Sequence, residues 1–550
     1  MTTTSSERPN IVLILADDMG FSDLGSYGSE VQTPNLDRLA ASGLRFSQMY
    51  NSARCCPSRA SLLTGLNPHQ AGVGHMVNNL GPGPYQGYLN DNCATIAEVL
   101  NDSGYRTMMS GKWHVGGDYH TSDQAEWNAG GPGRPTPTQR GFDRFFGILG
   151  GAGSYFNPVS MMREEQTSHA ETPEFYLTDA ISDEAVQMVD ESADLGDPFF
   201  LYLAYTAPHW PLHAFEEDIS RYIGKYRDGW DELRTGRHEQ MKGMGILDSR
   251  WDISPRVEDA PPWKNAEEKD WEDLRMAVYA AQIDRMDQGI GRVMDTIKRR
   301  GLDDNTLVMF MADNGGCAEL LQEDAGAARP SVYAQPTVDG LPMRMGNDNS
   351  ITPGGADTFM SYDIPWANAS NAPFRLFKHW VHEGGISTPF IVSWPARIQS
   401  SGIVHSPAHF IDISATCLDA AGASYPVERN GMNITPAEGE SLLSAFEGRT
   451  WERTQPIVWE HEGNRAVRDG QWKLVSEYGK GWELYDMEAD RTELNDLAGS
   501  EATRVASMEK VYMEWAERCG VQQFPVGPAP AARQSPNVHV SRMGRPTQPA

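Results

Sequence analysis

Basic residues are scarce in this chain: 46 lysines and arginines stand against 75 aspartates and glutamates, a formal net charge of -29. Proteins that grip a nucleic-acid backbone carry basic stripes that replace its counterions, so the deficit argues against a nucleic-acid partner. A small anionic substrate stays open, because charges beyond a Debye length of about 8 Å are screened and a local basic cleft can prevail. Long apolar runs are missing as well. None approaches the roughly 20 residues that span a bilayer, which argues against a membrane partner. The first residues, MTTTSSERPNIVLILADD, lack the basic segment and small-residue cleavage site of a secretory leader, and the expected location is cytoplasmic. Cysteine is sparse too. Six (Cys55, Cys56, Cys93, Cys317, Cys417 and Cys519) in 550 residues are too few for a disulfide framework and lack CxxC zinc spacing. Most read as small buried residues. The adjacent pair Cys55-Cys56 asks for another explanation.

What is present is an ordinary globular composition, 39% hydrophobic and 22% charged, in a chain long enough for a sizeable core. Residues 10–16 form an apolar run of strand length, hydrophobic on both faces as in a strand covered by helices. Asp17 and Asp18 stand at its exit. Thr33-Pro34 then starts a helix with Leu36, Leu39 and Ala40 on one side and Gly43 as its stop. A helix over 94–103 leads into a strand over 105–110 that ends in Lys112 and His114. The strand after Pro198 exits at Pro208-His209. A long helix carries Tyr279, Ile283, Met286, Ile290, Val293 and Ile297 at helical spacing and feeds the strand 306–312, which exits at Asp313-Asn314. A strand over 388–394 and a helix over 412–421 follow.

Strands alternating with helices predict a mostly parallel sheet with ligands outside the strands' carboxyl ends, and four exits carry Asp, Lys, His or Asn. Residues 455–484 read instead as short alternating strands punctuated by Gly470, Gly479 and Gly481, a small antiparallel unit closed by a helix near 505–515. Two domains are therefore expected, 1–430 and 431–550, with an extended tail from Val521. The stretches 215–269 and 316–373 read as long functional rims.

The densest chemical signal is CCPSRASLLTG, Cys55 to Gly65. Pro57 suits a first helical turn and Gly65 a helix end, so Cys55 is expected at a helix N-terminus, where developing negative charge is favoured. Spacing alone leaves open an inert cysteine or a thiolate nucleophile. Asp17, Asp18, Asp313 and Asn314 are oxygen ligands, the set for a hard divalent cation rather than a thiolate-seeking metal. Counted together, the three aspartates give -3, a cation +2, and Arg59, Lys112 and Lys378 +3, which leaves a locally positive pocket inside a negative molecule.

The run from Cys55 to Gly65 resembles the signature of the type I sulfatases, C-x-P-S-R closed by leucine, threonine and glycine. The resemblance extends over NIVLILADD (Asn10 to Asp18), GKWH (Gly111 to His114), ADNG (Ala312 to Gly315), FRLFK (Phe374 to Lys378) and HEGG (His382 to Gly385), with no departure from the family pattern, and is strongest to bacterial arylsulfatases of the Pseudomonas type. It implies an alkaline-phosphatase-like α/β fold, a large mixed and mostly parallel sheet flanked by helices, with a smaller C-terminal domain containing an antiparallel sheet. It implies hydrolysis of aryl sulfate monoesters through a sulfated formylglycine made from Cys55 by a maturation enzyme acting on that segment, while Cys56 stays a thiol. It implies one Ca2+ per chain, ahead of Mg2+ or Mn2+, on Asp17, Asp18, Asp313, Asn314 and the modified Cys55. It assigns Arg59 to the aldehyde diol, Lys112 and Lys378 to the sulfate oxygens, and His114 and His209 to proton transfer. Two other readings remain: a phosphonate monoester or phosphodiester hydrolase with the same site, and a non-catalytic anion-binding protein if Cys55 is unmodified. The leaving group is expected among loops 70–90, 155–180 and 316–373, with Tyr155, Phe156, Trp210 and Tyr362 as candidate walls.

Overall fold

The computed structural model describes residues 8–119, 126–321, 333–527 and 538–539. Most of the expected extended tail, and residues 322–332 of the long rim, lie outside the described residues. The elements run β1 (Asn10–Ala16), α1 (Pro34–Ser42), β2 (Leu44–Tyr50), α2 (Cys55–Thr64), α3 (Ile96–Asp102), β3 (Arg106–Lys112), β4 (Arg144–Ile148), β5 (Met161–Arg163), β6 (Gln166–Thr167), α4 (Leu177–Leu195), β7 (Phe199–Ala204), α5 (Glu216–Ile219), α6 (Gly229–Met244), α7 (Lys269–Arg299) and β8 (Thr306–Ala312). After β8 the main strand is Ser387–Ser393, followed by the helix Phe410–Ala421.

Among the described residues these strands build one eleven-stranded sheet. From the edge strand Gly402–Val404 its order is β2, Ser387–Ser393, β8, β1, β7, β3, β4, β5 and β6, and the eleventh strand, Ala408–His409, pairs with β2 beside Gly402–Val404. The centre, β8-β1-β7-β3-β4, is parallel. Ser387–Ser393 runs antiparallel to both β8 and β2. Two reversals restore direction, so β2 points the same way as β8 and delivers α2 to the carboxyl edge of the sheet. The reversed strand brings the residues that precede it, Lys378 among them, to that same edge. The central strands are buried on both faces, as their unbroken apolar runs require, and one core lies on each side of the sheet.

The C-terminal unit is a four-stranded antiparallel meander of Ile457–His461, Asn464–Asp469, Trp472–Ser476 and Glu483–Asp486. Its period-two alternation serves two partners. Trp459, Ala466, Val475 and Tyr485 pack on Tyr50, Ala53, Val381 and Ile386 of the large sheet's edge. Val458, Val467, Leu474 and Leu484 pack on the helix Ala502–Cys519 through Met508, Tyr512 and Trp515. All six cysteines are free and buried. Among the described residues no helix is long and apolar enough to cross a membrane.

Candidate active site

Helix α2 begins at Cys55 after Arg54, which has no side-chain capping bond, and closes on Gly65 in the left-handed conformation at φ 70°. All ten of its residues are buried. Its first amide groups are therefore available at Cys55, the location favoured for an anion. The Ser58 hydroxyl accepts from the Ser52 amide at 2.9 Å and fixes the turn that leads in.

Four strand exits converge there. The Lys112 ammonium donates to Asp17 Oδ2 at 2.6 Å. The Lys378 ammonium donates to Asp18 Oδ2 at 2.7 Å and lies 3.4 Å from His209 Nε2. Arg59 donates through Nε and Nη2 to Asp313 Oδ2 at 2.9 and 2.7 Å, and through Nη1 to the Lys112 carbonyl at 2.8 Å. Asn314 Nδ2 donates to Asp18 Oδ1 at 2.8 Å. His209 donates from Nδ1 to the Trp210 carbonyl at 2.7 Å, because a carbonyl only accepts, and so presents a lone pair on Nε2 toward Asp18 and Lys378. His114 faces the cysteine pair, with Nε2 3.3 Å from Cys56 Sγ. A Cβ on Gly151 would come within 2.5 Å of His114 Nε2, so the glycine leaves room for the ring.

The catalytic and metal-ligating residues expected from the sequence are thus brought into one buried cluster, and backbone strain gathers with it. Asp18, Ala53, His114 and His379 all take positive φ without being glycine, a conformation that persists only where surrounding contacts enforce it.

The electrostatics sort the groups. Burial works against the charge on Asp18, but His209 and Lys378 outweigh it and hold the carboxylate at about 2. Burial raises Asp17 despite Lys112 and Arg59 beside it, and it raises Asp313 strongly, with Asp17 adding to the push. Burial also keeps His114 and His209 neutral, pulling them down to about 3 and about 4. The Cys55 thiol is pulled well down, first by the hydrogen bond from Cys56 and then, against burial, by Lys112, His114 and Lys378.

A cation fits this donor set. Asp17 Oδ1 and Asn314 Oδ1 are buried oxygens with no hydrogen-bond partner, and leaving such acceptors bare costs free energy that a hard cation would remove. Asp17, Asp18 and His209 also offer ligand atoms within 4.8 Å of one another.

Around the cluster lies a rim in which Arg54 and Glu319 carry no motif of their own. Arg54 Nη2 and Trp210 Nε1 donate to the two oxygens of Glu319 at 2.9 and 2.8 Å, and Trp210 packs edge-on to Tyr333 and Phe359. Trp210 was expected at a leaving-group wall and lies beside His209. The other three expected wall residues make contacts of their own within the fold. Tyr155 donates to the Thr206 and His209 carbonyls, Phe156 packs on Tyr176 and Phe215, and Tyr362 stacks on Tyr279.

Residues 9–423 match the sulfatase family model, and residues 374–516 match the model of the N-sulphoglucosamine sulphohydrolase C-terminal region. An uncharacterised sulfatase of Schizosaccharomyces pombe is 32% identical over 94% of this chain and 95% of its own length. An arylsulfatase of Klebsiella aerogenes is 35% identical over 79% of this chain and 91% of its own length. The N-acetylgalactosamine-6-sulfatase of Rattus norvegicus is 25% identical over 87% of this chain and 74% of its own. Among solved structures, Ps i-CgsB bound to k-i-k-neocarrahexaose superposes with a TM-score of 0.64 at 26% identity, covering 92% of this chain and 93% of that one.

Proposed function

Given that the chain belongs to the sulfatase family, hydrolases of sulfate esters, we propose that it cleaves aryl sulfate monoesters with Cys55, oxidised to formylglycine, as the group that meets sulfur. The observation that carries the reading is the convergence of Arg59, Lys112 and Lys378 with the unsatisfied oxygens of Asp17 and Asn314 around a buried helix start. Three acids and three bases cancel there, so a divalent cation leaves about +2 facing a sulfate.

Asp17, Asp18, Asp313 and Asn314, with an oxygen at position 55, would hold that cation, by preference Ca2+, which supplies positive charge against the sulfate oxygens. The hydrate of formylglycine supplies one hydroxyl to attack sulfur and a second whose deprotonation releases sulfate without attack by water.

The chain's own side chains do the rest. Of its three donors the Lys112 ammonium gives one to Asp17, while Lys378 gives one to Asp18 and one toward His209 Nε2, and what is left faces the sulfate oxygens. Arg59 ties Asp313 to the Lys112 carbonyl and keeps further donors for the diol. His209, neutral at working pH with its Nδ1 proton committed, steadies the Lys378 ammonium through its Nε2 lone pair, and the pair would deliver a lysine proton to the departing oxygen. His114, also held neutral and with a ring nitrogen within 4.8 Å of the Cys55 sulfur, would take the proton from the hydroxyl at position 55. Because α2 is wholly buried, a maturation enzyme must reach the Cys55 segment before the fold closes over it.

Aryl specificity is supported by the Klebsiella relative and by the aromatic rim of Trp210, Tyr333 and Phe359 next to His209. Initial rates of one matured preparation on an aryl sulfate, an aryl phosphonate monoester and a sugar sulfate test this. The aryl sulfate should be the fastest; a faster phosphonate or sugar sulfate would overturn the assignment.

A further inference from the structure

Outside the catalytic cluster, three histidines gather on one carboxylate. His379 follows Lys378, His75 lies beyond α2, His461 ends the first strand of the C-terminal meander, and Glu462 stands in the two-residue turn Glu462-Gly463 that follows it. His379 Nδ1 is 2.9 Å from Glu462 Oε2, His75 Nε2 is 2.9 Å from Glu462 Oε1, and His461 Nε2 is 3.9 Å from the same oxygen. Ligand atoms of His379, His461 and Glu462 all lie within 4.8 Å of one another. Tetrahedral zinc with bonds of about 2.0–2.1 Å needs ligand atoms roughly 3.4 Å apart, so small side-chain rotations would suffice.

The His461 ring is 1% exposed, yet neither of its nitrogens has a hydrogen-bond partner. A buried ring N–H and a buried lone pair left bare are costly, and an ion on the lone pair would relieve one of them. Two of the four residues also hold strained backbone: His379 at φ 93° and Glu462 at φ 49°. Glu462 occupies a hairpin-turn position that Asn or Gly fills more cheaply, which points to a use for its carboxylate. Asn464 Nδ2 donates to the His461 backbone carbonyl at 3.0 Å and lies 3.4 Å from His379 Nε2, which holds the His379 ring against the hairpin backbone. Glu462 and His75 remain about one-fifth exposed, an open side through which an ion can enter.

We propose that His379, His461 and Glu462, with His75 as the fourth ligand, form a second metal site for a borderline divalent ion of the zinc class. Neutral imidazoles with one carboxylate select such an ion over Ca2+, which prefers six or more oxygens. The central carboxylate rejects the alternative of an anion-binding pocket. The nearby Arg54 does not repel the ion strongly, because its guanidinium is paired with Glu319 at 2.9 Å. Bound there, the ion would pin the C-terminal hairpin to the loop that carries Lys378. The site stands independently of the chemistry at Cys55.

The test uses the full-length protein stripped with a chelator and returned to excess Ca2+, which saturates the oxygen-rich centre. Zn2+ is then titrated calorimetrically, and Co2+ is added separately to read coordination from its visible spectrum. The expected result is one equivalent of Zn2+ and intense tetrahedral Co2+ bands. Both should be lost or weakened about tenfold or more in Glu462→Gln and in His461→Ala, and kept in Asp17→Asn. If His461→Ala does not fold, the isosteric Glu462→Gln carries the test. No Zn2+ uptake under excess Ca2+, or unchanged uptake in a folded Glu462→Gln, would overturn the proposal.

Discussion

Lys112 and Lys378 share one design, an ammonium held on a buried aspartate with donors to spare. Removing either takes away charge stabilisation comparable to a lost oxyanion donor, about 3–4 kcal/mol, so Lys112→Ala or Lys378→Ala should lower kcat by two to three orders of magnitude, roughly, with the far-UV circular dichroism retained. Turnover near that of the wild type would contradict their assignment. His213 makes a separate prediction. Its Nε2 donates to the Thr358 carbonyl at 2.5 Å and its Nδ1 accepts from the Tyr155 amide at 3.3 Å, so a second ring proton has nowhere to go. Burial pulls its pKa from 6.5 to about 4. The unfolded chain then binds the extra proton first, so this contribution is intact above pH 6.5 and is lost as pH falls from 6.5 toward 4. Melting curves across that window should shift less with pH in His213→Gln than in the wild type; identical pH dependence would contradict the reading. The residues of the central cluster were legible because each sits in a short contiguous motif at a strand exit. Arg54, Glu319 and His379 were not, since single polar residues in loops carry no periodic signal. Tyr155, Phe156 and Tyr362 could not be sorted for the opposite reason: an aromatic in a loop reads the same whether it faces a ligand or the core.

The glycine before Lys112 shows how an element sets the site. Gly111 takes φ 124°, and a Cβ there would stand 1.8 Å from the Ala204 carbonyl oxygen of the neighbouring strand β7. Gly111→Ala should therefore destabilise by about 3 kcal/mol or more through backbone displacement and strain, measured by urea unfolding. A midpoint equal to the wild type would contradict this. The strands β1, β7 and β8 and the helix α7 were readable from apolar runs and helical spacing that tertiary contacts reinforce. Helix α4 was not, although Leu177, Ile181, Ala185, Met188 and Ser192 line its buried side, because its aspartates and glutamates dilute the apolar stripe. Helix α6 hides its stripe differently, because Arg234, Arg237 and His238 stand between Trp230 and Met241 on its buried side. Strand β2 hides Ser47 and Gln48 among its buried positions, which breaks the apolar run.

Across the whole molecule, the large sheet and the C-terminal meander are joined by charge as well as by packing. The Lys473 ammonium bridges Glu383 at 2.8 Å and Glu493 at 2.7 Å, and Arg491 meets Glu383 from the other side at 3.1 Å, all with side chains shut off from solvent. Burial opposes the charge on Glu383, but Lys473 and Arg491 hold it at about 2. Taking one partner from such a network strands the others, so Lys473→Met should cost about 3–5 kcal/mol in urea unfolding. A loss below 1 kcal/mol, roughly the value of an exposed pair, would show the network to be unimportant. The same contrast between local and global charge answers the deficit of basic residues in the sequence: the net charge of -29 is spread over the whole molecule, and the three cations that matter are buried together at the carboxyl ends of the central strands. The central claim, that the encoded thiol is a precursor, is tested most directly by mass spectrometry of the peptide containing Cys55 from protein that releases sulfate from an aryl sulfate. The account predicts formylglycine at position 55 and an intact thiol at Cys56. An active preparation carrying only unmodified cysteine at position 55 would contradict it.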